Sequence, residues 1–319
     1  MKLSDILQNA KTIGISGHIR PDGDCIGSCL ALYNYINKNF RVQHIDLYLE
    51  EISEKFSFLE NSDKIRHSAD KEVTYDLFFA MDCSDKERLG KFAFCFDNAE
   101  RTFCIDHHVS NKGFADDNYI LPDASSACEV LYDLLDSEKI DKSIAEAVYL
   151  GIAHDSGMFR YSSTTSKTMK IAGEMMEKGI DFSNIIDKTF YDKTYAQNQI
   201  MGRIVMESII FMDGKCIVGW ATKEMMDFYG VTQKDLDAVI NALRNTEGTE
   251  CAMFLYQTGE LEYKVSMRSK NLIDVSRIAV KFDGGGHVRA AGFNMSGTVY
   301  DIINNVSKEI EEQFKEHEE

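Results

Sequence analysis

The stretch Ser16-Gly-His-Ile-Arg-Pro-Asp-Gly-Asp-Cys-Ile-Gly-Ser28 decides how this chain is read. Ahead of it, Lys11-Thr-Ile-Gly-Ile-Ser16 is short, rich in β-branched residues and bounded by Gly17, which predicts a buried strand. After Asp24, apolar residues recur with a helical period at Ile26, Leu30, Tyr33 and Ile36. Strand, turn and helix in that order put His18, Asp22 and Asp24 at the C-terminal end of a strand, where open α/β sheets hold their ligands. Asp24 suits the N-cap of the helix, but capping accounts for one acid and leaves Asp22 and His18 unexplained. Two carboxylates this close repel unless a cation lies between them, and a hard divalent metal is the usual one.

Bulk properties bound the rest. A chain of 319 residues, 44% of them hydrophobic, is long enough for two domains, each with its own core. The apolar stretches are strand-sized, none approaches a membrane span, and the first residues carry no signal-peptide core, so a cytoplasmic location is expected. The eight cysteines form no CxxC pair and read as buried thiols in a reducing compartment. A net charge of −17 argues against a surface for long duplex nucleic acid. It leaves room for a small phosphorylated substrate, because bound metals are often the largest local charges in a site. The acidic end from Glu309 reads as a solvated helix end.

Further along, Val42 to Leu49 predicts a second strand, and Tyr75 to Met81 is a continuous apolar run ending in Asp82. Arg101 to Ile105 is another, ending in Asp106-His107-His108. Three strand-like runs thus finish on Asp or His, so their polar ends can meet on one edge of a parallel sheet. Helices are predicted over 126–135 and 144–153, the second leading into His154-Asp155-Ser-Gly157, and over 166–178. The segment from Ile180 to Arg203 reads as helical and connecting. The expected division is a domain over 1–190, a helical linker over 191–213 and a smaller α+β domain over 214–319. In the last, Cys216 to Trp220 predicts a strand and Asp235 to Leu243 a helix. Cys251 to Tyr256 and Glu262 to Met267 form a hairpin, and Asn271 to Phe282 is helical until Gly284-Gly-Gly-His287 interrupts it. A strand near Phe293 and a helix from Val299 to Phe314 close the chain.

Gathering the strand-end residues gives His18, Asp22, Asp24, Asp82, Asp106, His107, His108 and Asp155. A carboxylate and imidazole set suits Mn²⁺ or Mg²⁺ better than structural zinc. Four Asp and two His overfill one site that keeps open positions, whereas two ions sharing a carboxylate use them all. His107 and His108 as a surface pair, Arg160 as an ordinary ion-pair partner and Gly284 to Gly286 as a plain loop are the alternative readings of those residues. His154, Asp85 and Asp123 receive no role, and His44 and His67 read as surface residues.

Pro21-Asp-Gly-Asp24, Asp82 after an apolar strand, Asp106-His-His108, Asp155-Ser-Gly157 and Gly284-Gly-Gly-His287 together resemble the signature of the DHH phosphoesterase superfamily with a DHHA1 C-terminal domain. The resemblance spans nearly the whole chain. Length, Arg160, Arg268 and the glycine run make it most similar to the bacterial oligoribonuclease (nanoRNase) and 3′-phosphoadenosine-5′-phosphate phosphatase group. The implied fold is α/β, with a mainly parallel DHH sheet flanked by helices, a smaller DHHA1 domain and the active site in the cleft between them.

The resemblance further implies that His18, Asp22 and Asp82 hold one metal, and that Asp24, Asp82, His107 and Asp155 hold the other, two Mn²⁺ in all with Mg²⁺ or Co²⁺ as substitutes. Asp106 orients an imidazole, and His108 faces the scissile phosphate. Arg160, Arg268, Gly284, Gly285, Gly286 and His287 bind substrate, the glycines by letting backbone N–H groups approach a phosphate. Expected substrates are very short RNA oligonucleotides, hydrolysed to mononucleotides, and 3′-phosphoadenosine-5′-phosphate, hydrolysed to AMP. The alternatives on the same metals are linear or cyclic dinucleotides such as pApA, polyphosphate or pyrophosphate; the non-enzyme alternative is a nucleotide-binding regulatory module. A homodimer is compatible with the sequence. Ser156 replaces the usual Thr, and Asp283 stands where many relatives have glycine, a charge that opposes anion binding at that loop.

Overall fold

The computed structural model describes residues 1–70 and 72–318, and the side chains of all of these but His287 and Glu318. The chain divides into two compact units, Met1–Asp192 and Lys193–Glu319.

The first unit is built on strands β1 (Thr12–Gly17), β2 (His44–Tyr48), β3 (Ile65–Arg66), β4 (Leu77–Met81), β5 (Thr102–Asp106) and β6 (Asp117–Ile120). They form one six-stranded sheet in the order β3-β2-β1-β4-β5-β6, parallel throughout. Its α-helices are α1 (Leu3–Ile6), α2 (Gly23–Asn39), α3 (Ala93–Asp97), α4 (Ala127–Tyr132), α5 (Lys142–Asp155), α6 (Ser166–Glu177) and α7 (Phe182–Ile186). Parallel strands with both faces covered are apolar along their whole length, and β4, Leu-Phe-Phe-Ala-Met, is buried at every position. Ile13, Ile15 and Phe79 pack into one core with α2, α4 and α5, and Phe78 and Tyr75 into a second with Phe92 and Phe96. The strand order reverses between β1 and β4, so the carboxyl ends of these neighbours open the crevice in which such sheets bind ligands.

The second unit contains α8 (Tyr195–Met206), β7 (Ile209–Phe211), β8 (Cys216–Ala221), α9 (Lys223–Tyr229), α10 (Val239–Arg244), β9 (Cys251–Gly259), β10 (Glu262–Ser269), α11 (Val275–Lys281), β11 (Gly285–His287), β12 (Ala290–Ser296) and α12 (Val299–Glu318). Its sheet runs β11-β12-β10-β9-β8-β7, with β8 and β9 parallel and the other neighbours antiparallel. One face packs on α11 and α12 through Val265, Met267, Phe293, Ile278, Val306 and Ile310. Part of the other packs on α8 and α10 through Phe254, Ile217, Ile204 and Leu243.

Three expectations need correction. The helix read as a linker, α8, belongs to the second unit, because Ile200 and Ile204 are buried in that unit's core. The glycine run is not a bare interruption; Gly285–His287 pairs as an edge strand with β12. Residues 271–274 do not continue a helix, because the Glu250 carboxylate takes the N–H groups of Asn271, Leu272 and Ile273 and Asp274 caps α11. Side chains that satisfy backbone donors outside a helix compete with it.

Candidate metal centre

Three loops leaving β1, β4 and β5, together with the last turn of α5, carry the candidate residues. Because β1, β4 and β5 are neighbours, the residues after them meet: His18 Nε2 lies 3.4 Å from Asp82 Oδ2, and His107 Nε2 lies 3.5 Å from Asp82 Oδ1. Asp22 Oδ2 is 3.7 Å from His18 Nε2. Asp155 Oδ2 and Asp24 Oδ2 stand 3.1 and 3.9 Å from His107 Nε2. The structure therefore gathers all six predicted donors into one cluster, in which Asp82 faces both imidazoles. Asp82 has a left-handed backbone, φ 54°; for a non-glycine residue this is a strained conformation of the kind that collects at functional sites.

Asp22, not Asp24, caps α2: its Oδ1 accepts from Asp24 N and Cys25 N at 3.0 and 3.1 Å, leaving Oδ2 toward His18. Asp24 sits inside the helix, fully buried, and its carboxylate accepts from Ala127 N at 2.5 Å and Cys128 N at 3.0 Å, the first residues of α4. Gly151 makes room for it, since a Cβ there would stand 2.5 Å from Asp24 Oδ1.

Both imidazoles are fixed the same way round. His18 Nδ1 lies 2.8 Å from the Ile19 carbonyl and His107 Nδ1 3.3 Å from that of Ala124, contacts in which the ring N–H donates. With Nδ1 held by a carbonyl, Nε2 is the atom turned to the carboxylates in each ring, and it is the one whose proton a bound metal would replace. Asp82 Oδ1 and His107 Nε2 are buried without a hydrogen-bond partner. Buried polar atoms left unpaired cost free energy, and a divalent cation among these donors removes the cost.

Charge in the cluster is unevenly shared. Burial and the nearby Asp82 and Asp155 carboxylates push Asp24 well above the usual carboxylate range. Burial and the Asp82 and Asp22 charges raise Asp155 to about 6 against the pull of His107. Burial works against ionisation of Asp82, but His107 and His18 hold it low. Burial disfavours a charged His107, yet Asp155 and Asp82 push it up to about 12. An excess of carboxylate in a confined space calls for positive charge, and the oxygen and nitrogen donors suit a hard or borderline divalent ion. The Cys25 Sγ also comes within 4.8 Å of ligand atoms of His18 and Asp82, but burial and its neighbour Cys29 push its thiol up, so it stays protonated.

His108 stands beside this group, with Nδ1 2.7 Å from Asp106 Oδ1 and 3.7 Å from Asp82 Oδ1. The buried Asp106 takes a second bond at 2.7 Å, from Asn111 Nδ2, which also donates to the Cys83 carbonyl. Sequence reasoning missed Asn111, although it follows His108 by three residues in the same loop. It also missed the turn into α4 over 124–128, whose backbone C=O and N–H groups position His107 and Asp24; backbone groups have no residue identity to read. His154 is wedged between Phe56 and Phe190, and burial together with Lys55 lowers it to about 4, so it is a neutral packing group.

Arg160 is exposed, five residues beyond Asp155 and just after Met158 and Phe159, both left-handed. Arg268, on β10 of the second unit, is half-buried and donates to the Met267 carbonyl. Gly284 and Gly286 press on β12, where a Cβ on either would stand 2.4 Å from a carbonyl, whereas Gly285 faces open space. Asp283 turns the chain with φ 56°. The His287 backbone is in β11, and its side chain lies outside the described residues.

Comparison with known proteins bears on the fold and the family. The chain is similar to a Bacillus subtilis protein named bifunctional oligoribonuclease and PAP phosphatase NrnA, 25% identical over 314 residues that span 96% of each chain. A Thermus thermophilus protein of the same name is 28% identical over 289 residues, 89% of this chain and 84% of that one. The fold is that of a crystal structure described as an exopolyphosphatase-related protein from Bacteroides fragilis, with TM-score 0.87 and 24% identity over 99% of this chain and 95% of that chain. Residues 12–152 match the model of the DHH family, N-terminal domain, and residues 214–316 match the DHHA1 domain. The chain thus carries a DHH domain followed by a DHHA1 domain.

Proposed function

We propose that this chain is a divalent-metal-dependent phosphoesterase that hydrolyses very short RNA oligonucleotides to mononucleotides and 3′-phosphoadenosine-5′-phosphate to AMP, with Mn²⁺ as its metal. The observation that carries the reading is the convergence of His18, Asp22, Asp24, Asp82, His107 and Asp155 from separate elements, with Asp82 Oδ1 and His107 Nε2 buried and unpaired. The names of the similar proteins support the two substrates.

In this reading His18, Asp22 and Asp82 hold one ion, and Asp24, Asp82, His107 and Asp155 the other. Ions bound there lower the pKa of water and offset the charge that builds on phosphorus. Asp106, fixed by Asn111, holds His108 through Nδ1–H; burial opposes a charge on this ring, but Asp106 and Asp82 raise its pKa, and the imidazolium donates its Nε2 proton to a phosphate oxygen or to the leaving alkoxide. Arg160, Arg268 and the 284–287 segment bind substrate phosphates, Arg through a forked pair of N–H donors and the glycines by close backbone approach.

The test compares wild type with Asp82→Asn in Mn²⁺, on an RNA trimer and on 3′-phosphoadenosine-5′-phosphate, with bound metal counted in both proteins. Hydrolysis of both substrates by wild type, lost together with bound metal in the variant, is expected. Faster turnover of pApA or polyphosphate would overturn the substrate assignment, and tight nucleotide binding without turnover would replace the enzyme by a regulatory module.

A further inference from the structure

His154, the residue before Asp155, is a polar side chain where the packing would accept an apolar one. Its ring lies between those of Phe56 and Phe190, with centroids 5.6 and 4.4 Å away. Its Nε2 is buried and has no hydrogen-bond partner among the described residues, a cost that a leucine or phenylalanine would not carry. The third neighbour is Gly23: a Cβ built there would stand 2.1 Å from His154 Cγ, 2.2 Å from Nδ1 and 2.7 Å from Cδ2. The ring therefore fills the space that any side chain at position 23 would need. Gly23 has no left-handed backbone that would demand glycine; what it supplies is room for His154.

That contact joins two sources of candidate ligands. Gly23 is the first residue of α2 and lies between Asp22 and Asp24, whereas His154 is bonded through the backbone to Asp155 at the end of α5. Asp24 and Asp155 approach one point, 3.9 and 3.1 Å from His107 Nε2, and carboxylates brought so close repel. Spreading the start of α2 from the end of α5 would relieve that repulsion and open the ion site. Against it stand the two phenyl rings that hold His154. Phe56 is buried in the core of the first unit. Phe190 lies in a wide turn over Asp187–Tyr191, closed by the Asp192 N–H on the Asp187 carbonyl at 2.7 Å; such five-residue closures are rare and collect at functional sites. Lys55 Nζ donates to the Thr189 carbonyl at 3.2 Å and so ties together the segments that carry the two rings. A close-packed wedge resists displacement, because its neighbours must move with it.

We infer that His154 is a positioning residue of the metal centre: wedged between Gly23 and the rings of Phe56 and Phe190, it fixes the spacing between the Asp22–Asp24 turn and Asp155. The inference rests on the metal-dependent phosphoesterase reading above and adds to it a residue that is neither a ligand nor a substrate contact. His154 acts by shape, through the placement of Asp22, Asp24 and Asp155.

The test uses the full chain as wild type, His154→Ala, Gly23→Ala, the double variant of these two, and Ile36→Ala, a buried truncation near the other end of α2. Mn²⁺ binding is followed through the paramagnetic resonance signal of the free ion, and stability by urea unfolding in chelator. His154→Ala is expected to weaken Mn²⁺ binding about ten-fold, the lower end of what groups behind metal ligands contribute. Ile36→Ala loses stability and keeps its Mn²⁺ affinity. Gly23→Ala weakens Mn²⁺ binding while the ring is present and adds nothing to the loss in the double variant, where the ring it would displace is gone. In hydrolysis of 3′-phosphoadenosine-5′-phosphate, His154→Ala lowers kcat and leaves KM within about two-fold, as misplacement of the reacting groups does. Wild-type Mn²⁺ affinity in His154→Ala, an equal loss of affinity in Ile36→Ala, or additive losses in the double variant overturns the inference. Weakened Mn²⁺ binding by His154→Ala in a protein that hydrolyses neither substrate keeps the inference and removes the proposed activity, whereas no Mn²⁺ binding by wild type overturns both.

Discussion

Asp106 is fully buried, and its two oxygens are divided between His108 and Asn111, each at 2.7 Å. A buried carboxylate stripped of one donor loses a charge-assisted bond and keeps its desolvation cost. Asn111→Leu is therefore expected to lower stability by about 1–3 kcal/mol in urea unfolding. It should also reduce kcat more than it raises KM, because His108 loses its fixed orientation without losing its place. Full stability and activity in Asn111→Leu would show that Asp106 needs no second donor. The His108 motif was legible from sequence, but its support was not: Asn111 reads as an ordinary loop residue until the turn over 106–111 brings it back to Asp106.

At the scale of the element, the start of α2 shows one carboxylate in two roles. Asp22 Oδ1 caps the helix, and Oδ2 faces His18. A serine keeps the cap and removes the second oxygen, whereas an alanine removes both. Asp22→Ser is expected to match wild type in urea unfolding and to lose metal-dependent hydrolysis; Asp22→Ala should lose the hydrolysis and also about 1 kcal/mol of stability. Equal stability in the two variants would mean that the cap contributes nothing. Sequence reasoning gave the cap to Asp24 because that residue borders the apolar periodicity. The helix starts earlier, at Gly23, because Asp24 is drawn inward by the N–H groups of α4, an element more than a hundred residues away.

The whole molecule carries two further expectations. Buried Asp46 on β2 accepts from Tyr75 Oη at 2.6 Å, Arg66 Nη1 at 2.8 Å, His44 Nε2 at 2.8 Å and Tyr48 Oη at 3.2 Å, joining three strand ends of the first unit. Burial opposes its ionisation, yet Tyr75, Arg66 and His44 outweigh it and hold the carboxyl below its usual range. As pH falls, the unfolded chain binds the proton first, so the stabilisation is complete above the ordinary carboxylate range and is lost as pH falls through and below it. Between pH 7 and pH 3, wild type should lose more stability than Asp46→Asn, measured by urea unfolding; equal losses would remove Asp46 from the acid response. The second unit has its own cores on both sheet faces, so residues 193–319 expressed alone should melt cooperatively by circular dichroism. A non-cooperative melt would show that this core is insufficient by itself.

By itself, the sequence determined the strands that are apolar throughout, the helices with clear periodicity and the identity of the candidate ligands, because buried parallel strands and chemically distinctive side chains are local facts. Leu77 to Met81 and the residues after it could be read without any partner in view. Only the tertiary structure decided that β1 and β4 are neighbours across the reversal of strand order, which makes Asp82 common to His18 and His107. It alone assigned α8 to the second unit and turned Gly285–His287 into a strand. Each of these depends on what lies on the adjacent strand or helix, and strand order and register are fixed by packing between segments distant in sequence, which no local pattern encodes.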